Sequence, residues 1–264
     1  MEYLDGPRPR LFAHRGGALE APENTLEAFA RGLRAGADRL ELDVHGTADG
    51  AVVVIHDPTL DRTTDGSGEV RRRTLAEVQA LDAGYRFRDE HGAHAFRGRG
   101  VRVPALAELL EAFPGVPLNI EIKQREPAIE DAVFAVLDRF AARRQVLLAA
   151  EDGRIMQHIR ERAGGVLTGS SVDDVVAFAE AWEQGRLEAY RHPGAALQVP
   201  PDFLGRPLVS AEMVQKAHRL GVEVHVWTID DPSEIERLLA LGVDGIMTDR
   251  PSLATATFAA LGLR

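Results

Sequence analysis

The chain has no cysteine, which removes a disulfide framework, a thiolate nucleophile and a thiolate metal site together. Any metal it binds must sit on oxygen or imidazole. Zero cysteine is compatible with export as well as with the cytoplasm. No apolar run approaches the ~20 residues of a membrane span. The opening, Met1-Glu2-Tyr3-Leu4-Asp5-Gly6-Pro7, has neither the basic start nor the apolar stretch of a leader. A soluble, cytoplasmic protein is the expectation. Positive charge is also short: the formal charge of -10 argues against a nucleic-acid surface and leaves Arg71-Arg72-Arg73 as solvated loop. Lysine is scarcest of all, with only Lys123 and Lys216 among 31 lysines and arginines. A lysine inside an apolar strand beside a carboxylate, as Lys123 is, departs from the chain's own habit and points to a function.

What is present is a regular alternation. At 264 residues and 45% hydrophobic, the chain can bury a large core. Strand-like apolar runs fall at Arg10 to Ala13, Arg39 to Val44, Pro117 to Ile122, Gln145 to Ala149, Gly165 to Thr168, Ala196 to Val199, Glu223 to Thr228 and Gly245 to Thr248. Amphipathic stretches lie between them. Asn24 with Glu27, Ser171 with Asp174, and Asp231-Pro232-Ser233-Glu234 are helix starts, while Gly221 and Gly242 mark ends. Eight alternations favour a closed (β/α)₈ TIM barrel over an open doubly wound sheet. No dinucleotide fingerprint follows the first run, because His14-Arg15-Gly16-Gly17 lacks the spacing. One segment breaks the rhythm. After the second run, Ala48-Asp49-Gly50 turns directly into Ala51 to Asp57, a hairpin return without a helix. Residues 58–103 then carry one helical patch, Leu75 to Leu81. They are expected to form an insertion over the barrel mouth within a single catalytic domain spanning 1–264.

Residues two apart on a strand point the same way. Glu41 and Asp43 therefore share a face, as do Glu121 and Lys123, with Leu42 and Ile122 turned to the other side. Working residues of such a barrel stand at the C-terminal strand ends. His14, Glu41, Asp43, Glu121 and Lys123 close the first three barrel strands there, and His56 arrives from the hairpin. Three carboxylates favour a hard divalent cation, Mg²⁺ or Ca²⁺, with zinc left open by the nearby histidines. Plain salt bridges to Arg15 and Lys123 are the alternative, and they leave several buried acids with too few bases. His14 and His56 suit a general acid and base near neutral pH, while Arg15 and Lys123 suit phosphate oxygens. Phosphodiester cleavage uses every group at once. Trp227, on one face with Glu223 and His225, and Gln198 are candidates for lining the substrate, against a reading of Trp227 as barrel filling. His45 is read as turned away from Asp43. His91, His94, His158, His192 and His218 are read as surface.

The stretches His14-Arg15-Gly16, Pro22-Glu23-Asn24-Thr25, Glu41-Leu42-Asp43-Val44, Asp49-Gly50 with His56-Asp57, Glu121-Ile122-Lys123, Val226-Trp227-Thr228 and Gly245-Ile246-Met247-Thr248-Asp249-Arg250-Pro251 span nearly the whole chain. In this order they resemble the glycerophosphodiester phosphodiesterase family. The resemblance implies a barrel with a small insertion after His56-Asp57. It implies a divalent cation on Glu41, Asp43 and Glu121, acid and base roles for His14 and His56, and phosphate contacts from Arg15 and Lys123. The implied reaction hydrolyses small-molecule glycerophosphodiesters, such as glycerophosphocholine or glycerophosphoethanolamine, to glycerol 3-phosphate and an alcohol. Two routes are open: attack by the glycerol 2-hydroxyl, giving a cyclic phosphate that water opens, and direct attack by water. A lysophospholipase D acting on longer lipid diesters would want an apolar patch on the insertion, which the polar stretch from Asp61 to Arg73 does not suggest. A catalytically silent glycerophosphodiester-binding barrel would not need both histidines and all three acids. Neither the alcohol, the cation nor the oligomeric state is set by the sequence.

Overall fold

The computed structural model describes residues 2–203 and 205–264. Strand β1 (Arg10–Ala13) leads through helix α1 (Leu26–Ala35) to β2 (Arg39–Gly46), and β3 (Val52–Val54) folds back antiparallel on β2. Helix α2 (Leu75–Gln79) lies within the long connection after β3, and α3 (Leu106–Ala112) completes the crossover to β4 (Leu118–Ile122). The rhythm continues through α4 (Glu130–Arg139), β5 (Val146–Ala149), α5 (Gly153–Arg162), β6 (Leu167–Thr168), α6 (Val172–Glu183) and β7 (Ala196–Val199). A small hairpin, β8 (Asp202–Phe203) with β9 (Arg206–Pro207), precedes α7 (Ala211–Arg219), β10 (Glu223–Val226), α8 (Pro232–Ala240), β11 (Gly245–Thr248) and α9 (Pro251–Ala260).

The parallel strands lie in the order β6-β5-β4-β2-β1-β11-β10-β7, a nearly closed (β/α)₈ barrel. Among the described residues no ladder forms between β6 and β7; the seam is joined by the Ala195 N–H donating to Thr168 O at 2.7 Å and the Ser170 hydroxyl donating to Ala196 O at 2.7 Å. Alternation along the strands divides the core. Leu11, Leu40, Leu42, Val44, Leu118, Ile120 and Ile122 face outward into the layer shared with the helices. Inside, Phe12, Leu147, Ala149, Ala196 and Met247 pack with Tyr3, which the segment ahead of β1 brings into the barrel. At that end the fully buried Arg10 donates to both oxygens of Glu223 at 2.6 and 2.7 Å, and Arg39 donates to Tyr3 O and Asp5 O.

Two details depart from the sequence reading. Thr25, not Asn24, caps α1, accepting from Ala28 N at 3.2 Å, and Asn24 is left at φ 58° with its side chain free for another task. The strand expected over 165–168 shrinks to two residues because Gly165 takes φ 95°, outside the extended region. The capping box of Ser171 and Asp174 and the Asp231 cap with Pro232 form as read. Residues 58–103 carry a small core of Leu60, Val70, Val78, Ala83 and Val103 against Val53 and Ile55. Phe96, edge-on to Phe87 at 5.2 Å, packs on Ala21 and Ala28. Among the described residues, no helix is long and apolar enough to cross a membrane.

Gly245 shows how tightly the barrel interior is filled. A Cβ there would meet Phe12 Cε2 at 2.8 Å and His225 Cδ2 at 2.9 Å. Gly245→Ala is expected to cost about 1–3 kcal/mol through overpacking, read as a lowered urea midpoint with an unchanged slope.

Candidate active site

The site begins with a tight turn after β1. His14, Arg15 and Gly16 form one 3₁₀ turn with Arg15 at φ 50° and Gly16 at φ 87°, and a Cβ on Gly16 would meet the Ala28 backbone at 2.7 Å. The turn aims the Arg15 N–H at Glu41 Oε2, 3.0 Å away. The Arg15 Nε lies 3.2 Å from Asp43 Oδ2, off the hydrogen-bonding direction, and its Nη1 donates to Glu23 at 3.2 Å. Asn24 clamps Asp43 from the other side. Its Nδ2 donates to Asp43 Oδ2 at 2.9 Å while its Oδ1 accepts from Asp43 N at 3.3 Å.

Strand register supplies the acids. Asp43 pairs with Glu121 and Glu41 with Asn119 across β2 and β4, so Glu41, Asp43 and Glu121 each place an oxygen within 4.8 Å of the others. Glu41 is 3% exposed and Asp43 1%. Burial, then the neighbouring Asp43, pushes the Glu41 carboxyl up to about 7. Burial likewise raises Glu121 despite Lys123. Burial works against Asp43 too, but Arg15 and Lys123 outweigh it and hold that carboxyl below its usual range. Lys123 Nζ sits 2.7 Å from Glu121, 3.6 Å from Asp43 and 3.9 Å from Glu151. Three acids are thus gathered with less positive charge than they need, and their all-oxygen donor set fits a hard divalent cation.

Each histidine of the site is held by its own carboxylate. His14 Nδ1 meets Asp249 Oδ1 at 2.7 Å, and its Nε2 stands 3.8 Å from Glu41. Burial opposes charge on His14, yet Glu41 and Asp249 override it and raise its pKa to about 8. His56 Nδ1 meets Asp57 Oδ1 at 2.7 Å. Behind Asp57, Arg62 of the connection after β3 forks twice, to both oxygens of Asp57 at 2.7 and 3.0 Å and to both oxygens of Glu23 at 2.6 and 2.8 Å. Because Glu23 also accepts from Arg15, one arginine ties the mounts of His56 and Arg15 together.

His14, Arg15, Glu41, His56, Glu121, Lys123, Gln198 and Trp227 all line one cleft of about 180 Å³ at the C-terminal strand ends, with Asp43 behind its wall. The structure brings together every residue singled out from the sequence. It corrects one reading: His45 is two residues from Asp43, so it shares that face, and its Nε2 lies 3.0 Å from His56 O without reaching the cleft. Asn24, Asp57, Arg62, Asn119 and Asp249 were missed as supporting groups. Asp249 follows a strand end and was open to the same logic as His14; Asn24 and Arg62 sit in loops where no periodicity flags them.

The barrel and its rim cleft define a TIM-barrel enzyme. Residues 14–253 match the glycerophosphoryl diester phosphodiesterase family. A glycerophosphodiester phosphodiesterase of Caldanaerobacter subterraneus subsp. tengcongensis is 34% identical over 248 residues, 91% of this chain and 94% of the relative. The crystal structure of a glycerophosphodiester phosphodiesterase from Agrobacterium tumefaciens is similar at TM-score 0.74 and 30% identity, covering 94% of this chain and 99% of its own. An Oleispira antarctica phosphodiesterase solved with the product sn-glycerol-3-phosphate is similar at TM-score 0.77 and 27% identity, covering 96% and 97%. The chain belongs to the glycerophosphoryl diester phosphodiesterase family and is a phosphoric diester hydrolase.

The Arg62 fork holds the Asp57 carboxyl at about 2, with burial opposing and His56 assisting. A depressed carboxyl stabilises the fold above its unfolded value near 4 and loses that contribution as pH falls through its folded value. Arg62→Met should therefore lower the Tm at pH 5, and the gap to the parent protein should close as pH approaches 2. Thermal melts from pH 2 to 5 check this, and a gap that stays constant would refute it.

Proposed function

We propose that the enzyme is a divalent-cation-dependent phosphodiesterase. It hydrolyses glycerophosphodiesters such as glycerophosphocholine and glycerophosphoethanolamine to glycerol 3-phosphate and the free alcohol. The observation carrying this reading is that two histidines, each mounted on a carboxylate through Nδ1, line the same cleft as an acid trio and an Arg/Lys pair. With Nδ1 engaged, each histidine keeps Nε2 for a substrate proton. One takes the proton of the attacking oxygen, the glycerol 2-hydroxyl or a water, as the new P–O bond forms, and the other gives a proton to the alcohol oxygen as the old P–O bond breaks; where the glycerol hydroxyl attacks, water then opens the cyclic phosphate to glycerol 3-phosphate with the two roles exchanged. Arg15 and Lys123 neutralise the phosphate oxygens, where charge builds up. Glu41, Asp43 and Glu121 hold the cation, Mg²⁺ or Ca²⁺, which when bound supplies further positive charge at the phosphate. Trp227 and Gln198 line the walls against the organic part of the substrate.

Purified protein assayed on both diesters with Mg²⁺, Ca²⁺ or EDTA tests the reading. Turnover is expected with a divalent cation and lost in EDTA or in Glu121→Gln; full activity under either condition would sink the metal assignment. His14→Ala should lower kcat/KM by about 10²–10⁴-fold with its melting temperature retained. Lys123→Arg is expected to impair turnover as well, because a forked guanidinium does not replace a compact ammonium 2.7 Å from Glu121. Equal activity of that variant would remove Lys123 from the site.

A further inference from the structure

Beneath the acid trio, a chain of buried polar groups runs along the barrel axis and ends at the cleft floor. Glu223 keeps its negative charge: burial opposes it, but the hydrogen bonds from Arg10 prevail. A carboxylate only accepts hydrogen bonds, so the His225 Nε2 facing it at 2.9 Å carries the proton. His225 is fully buried, and burial keeps it neutral in spite of Glu223. Its Nδ1 must then accept. The group opposite, at 3.4 Å, is Gln198, which therefore presents its Nε2 amino end. That same amino group donates its other hydrogen to Asn119 at 2.8 Å, and the atom receiving it must be Oδ1, to which the Tyr3 hydroxyl also donates at 3.4 Å. Each choice forces the next.

What is left over is the Asn119 Nδ2. Asn119 is 3% exposed and lines the cleft, and among the described residues its Nδ2 makes no hydrogen bond and is not one of the polar atoms sealed off from solvent without a partner, so it opens on the cleft. A donor left free at the floor of a cleft, with its carbonyl end already committed, is available to a ligand. We infer that Asn119 reads an uncharged oxygen of the substrate, a hydroxyl of the glycerol moiety, at the cleft floor, and that His225 is a positioning residue fixing the orientation of its amide. Asn119 precedes Glu121 by two residues on the same face of β4, a rise of about 6.6 Å. A phosphate held at the level of Glu121, Arg15 and Lys123 leaves room below for a three-carbon unit. The uncharged lining residues Gln198, Ala149 and Met247 suit a neutral hydroxyl rather than a second phosphate. The inference rests on the proposed reaction and names which half of the diester goes deep.

The test compares glycerophosphocholine with bis(4-nitrophenyl) phosphate, a diester without glycerol, using the full chain with its divalent cation. Asn119→Ala should lower the ratio of kcat/KM for glycerophosphocholine to that for the nitrophenyl diester by about tenfold or more, chiefly through KM. His225→Phe keeps a ring against Phe12 but removes the acceptor, and should lower the same ratio about three- to tenfold. The double variant should be no worse than Asn119→Ala alone, since both changes disable one donor. Asn119→Ser stands in if the alanine variant does not fold. A ratio unchanged in either Asn119 variant, or losses that add in the double variant, would overturn the inference. A parent protein that hydrolyses neither diester would instead overturn the phosphodiesterase reading itself.

Discussion

Three carboxylates share one small volume at the mouth of the barrel, two of them almost wholly buried, and a protein does not hold such a group together without strong compensation. The surrounding structure can be read as that compensation. Arg15 is turned back by a glycine-assisted 3₁₀ turn so that both its backbone and its guanidinium face the acids. Asn24 adopts a left-handed conformation to clamp Asp43. Lys123 rises beside Glu121 on the neighbouring strand. Even so burial, and after it the neighbouring Asp43, pushes the Glu41 carboxyl up to about 7. The three oxygens gathered there are a donor set that could hold a cation.

The same economy extends outward and downward. Outward, Asp249 and Asp57 each fix a histidine, and Arg62 joins the Asp57 mount to Glu23 and hence to Arg15. Downward, Arg10 and Glu223 form a buried pair whose charge sets the tautomer of His225 and the orientation of two amides above it. Barrel interiors are usually filled with apolar layers. Here Phe12, Leu147 and Met247 share that space with a polar file, and Gly245 has no side chain because Phe12 and His225 occupy the space it would need.

Much of this was legible in the chain. The strand-end positions of His14, Glu41, Asp43, Glu121 and Lys123 were readable because the two-residue period of a strand is local and the eight alternations order the strands. Sorting His45 required only the same parity applied correctly. Asn24 resembled a helix cap because Glu27 stands three residues on, but Thr25 serves that role equally well locally, and only the distance to Asp43 decides between them. Asn119 lies inside an apolar run where a lone amide carries no signal. Arg62 is one of many arginines.

The sequence by itself determined the barrel, the face on which the acids stand and the chemical types available to the cleft, because each follows from periodicity and residue chemistry over a few neighbours. Only the tertiary structure decided which carboxylate mounts which histidine, how the seam between β6 and β7 is joined, and which way the Asn119 amide points. Those outcomes depend on groups up to 235 residues apart, as His14 and Asp249 are. No local pattern encodes a hydrogen bond across a barrel; it exists only once the strands have closed around it.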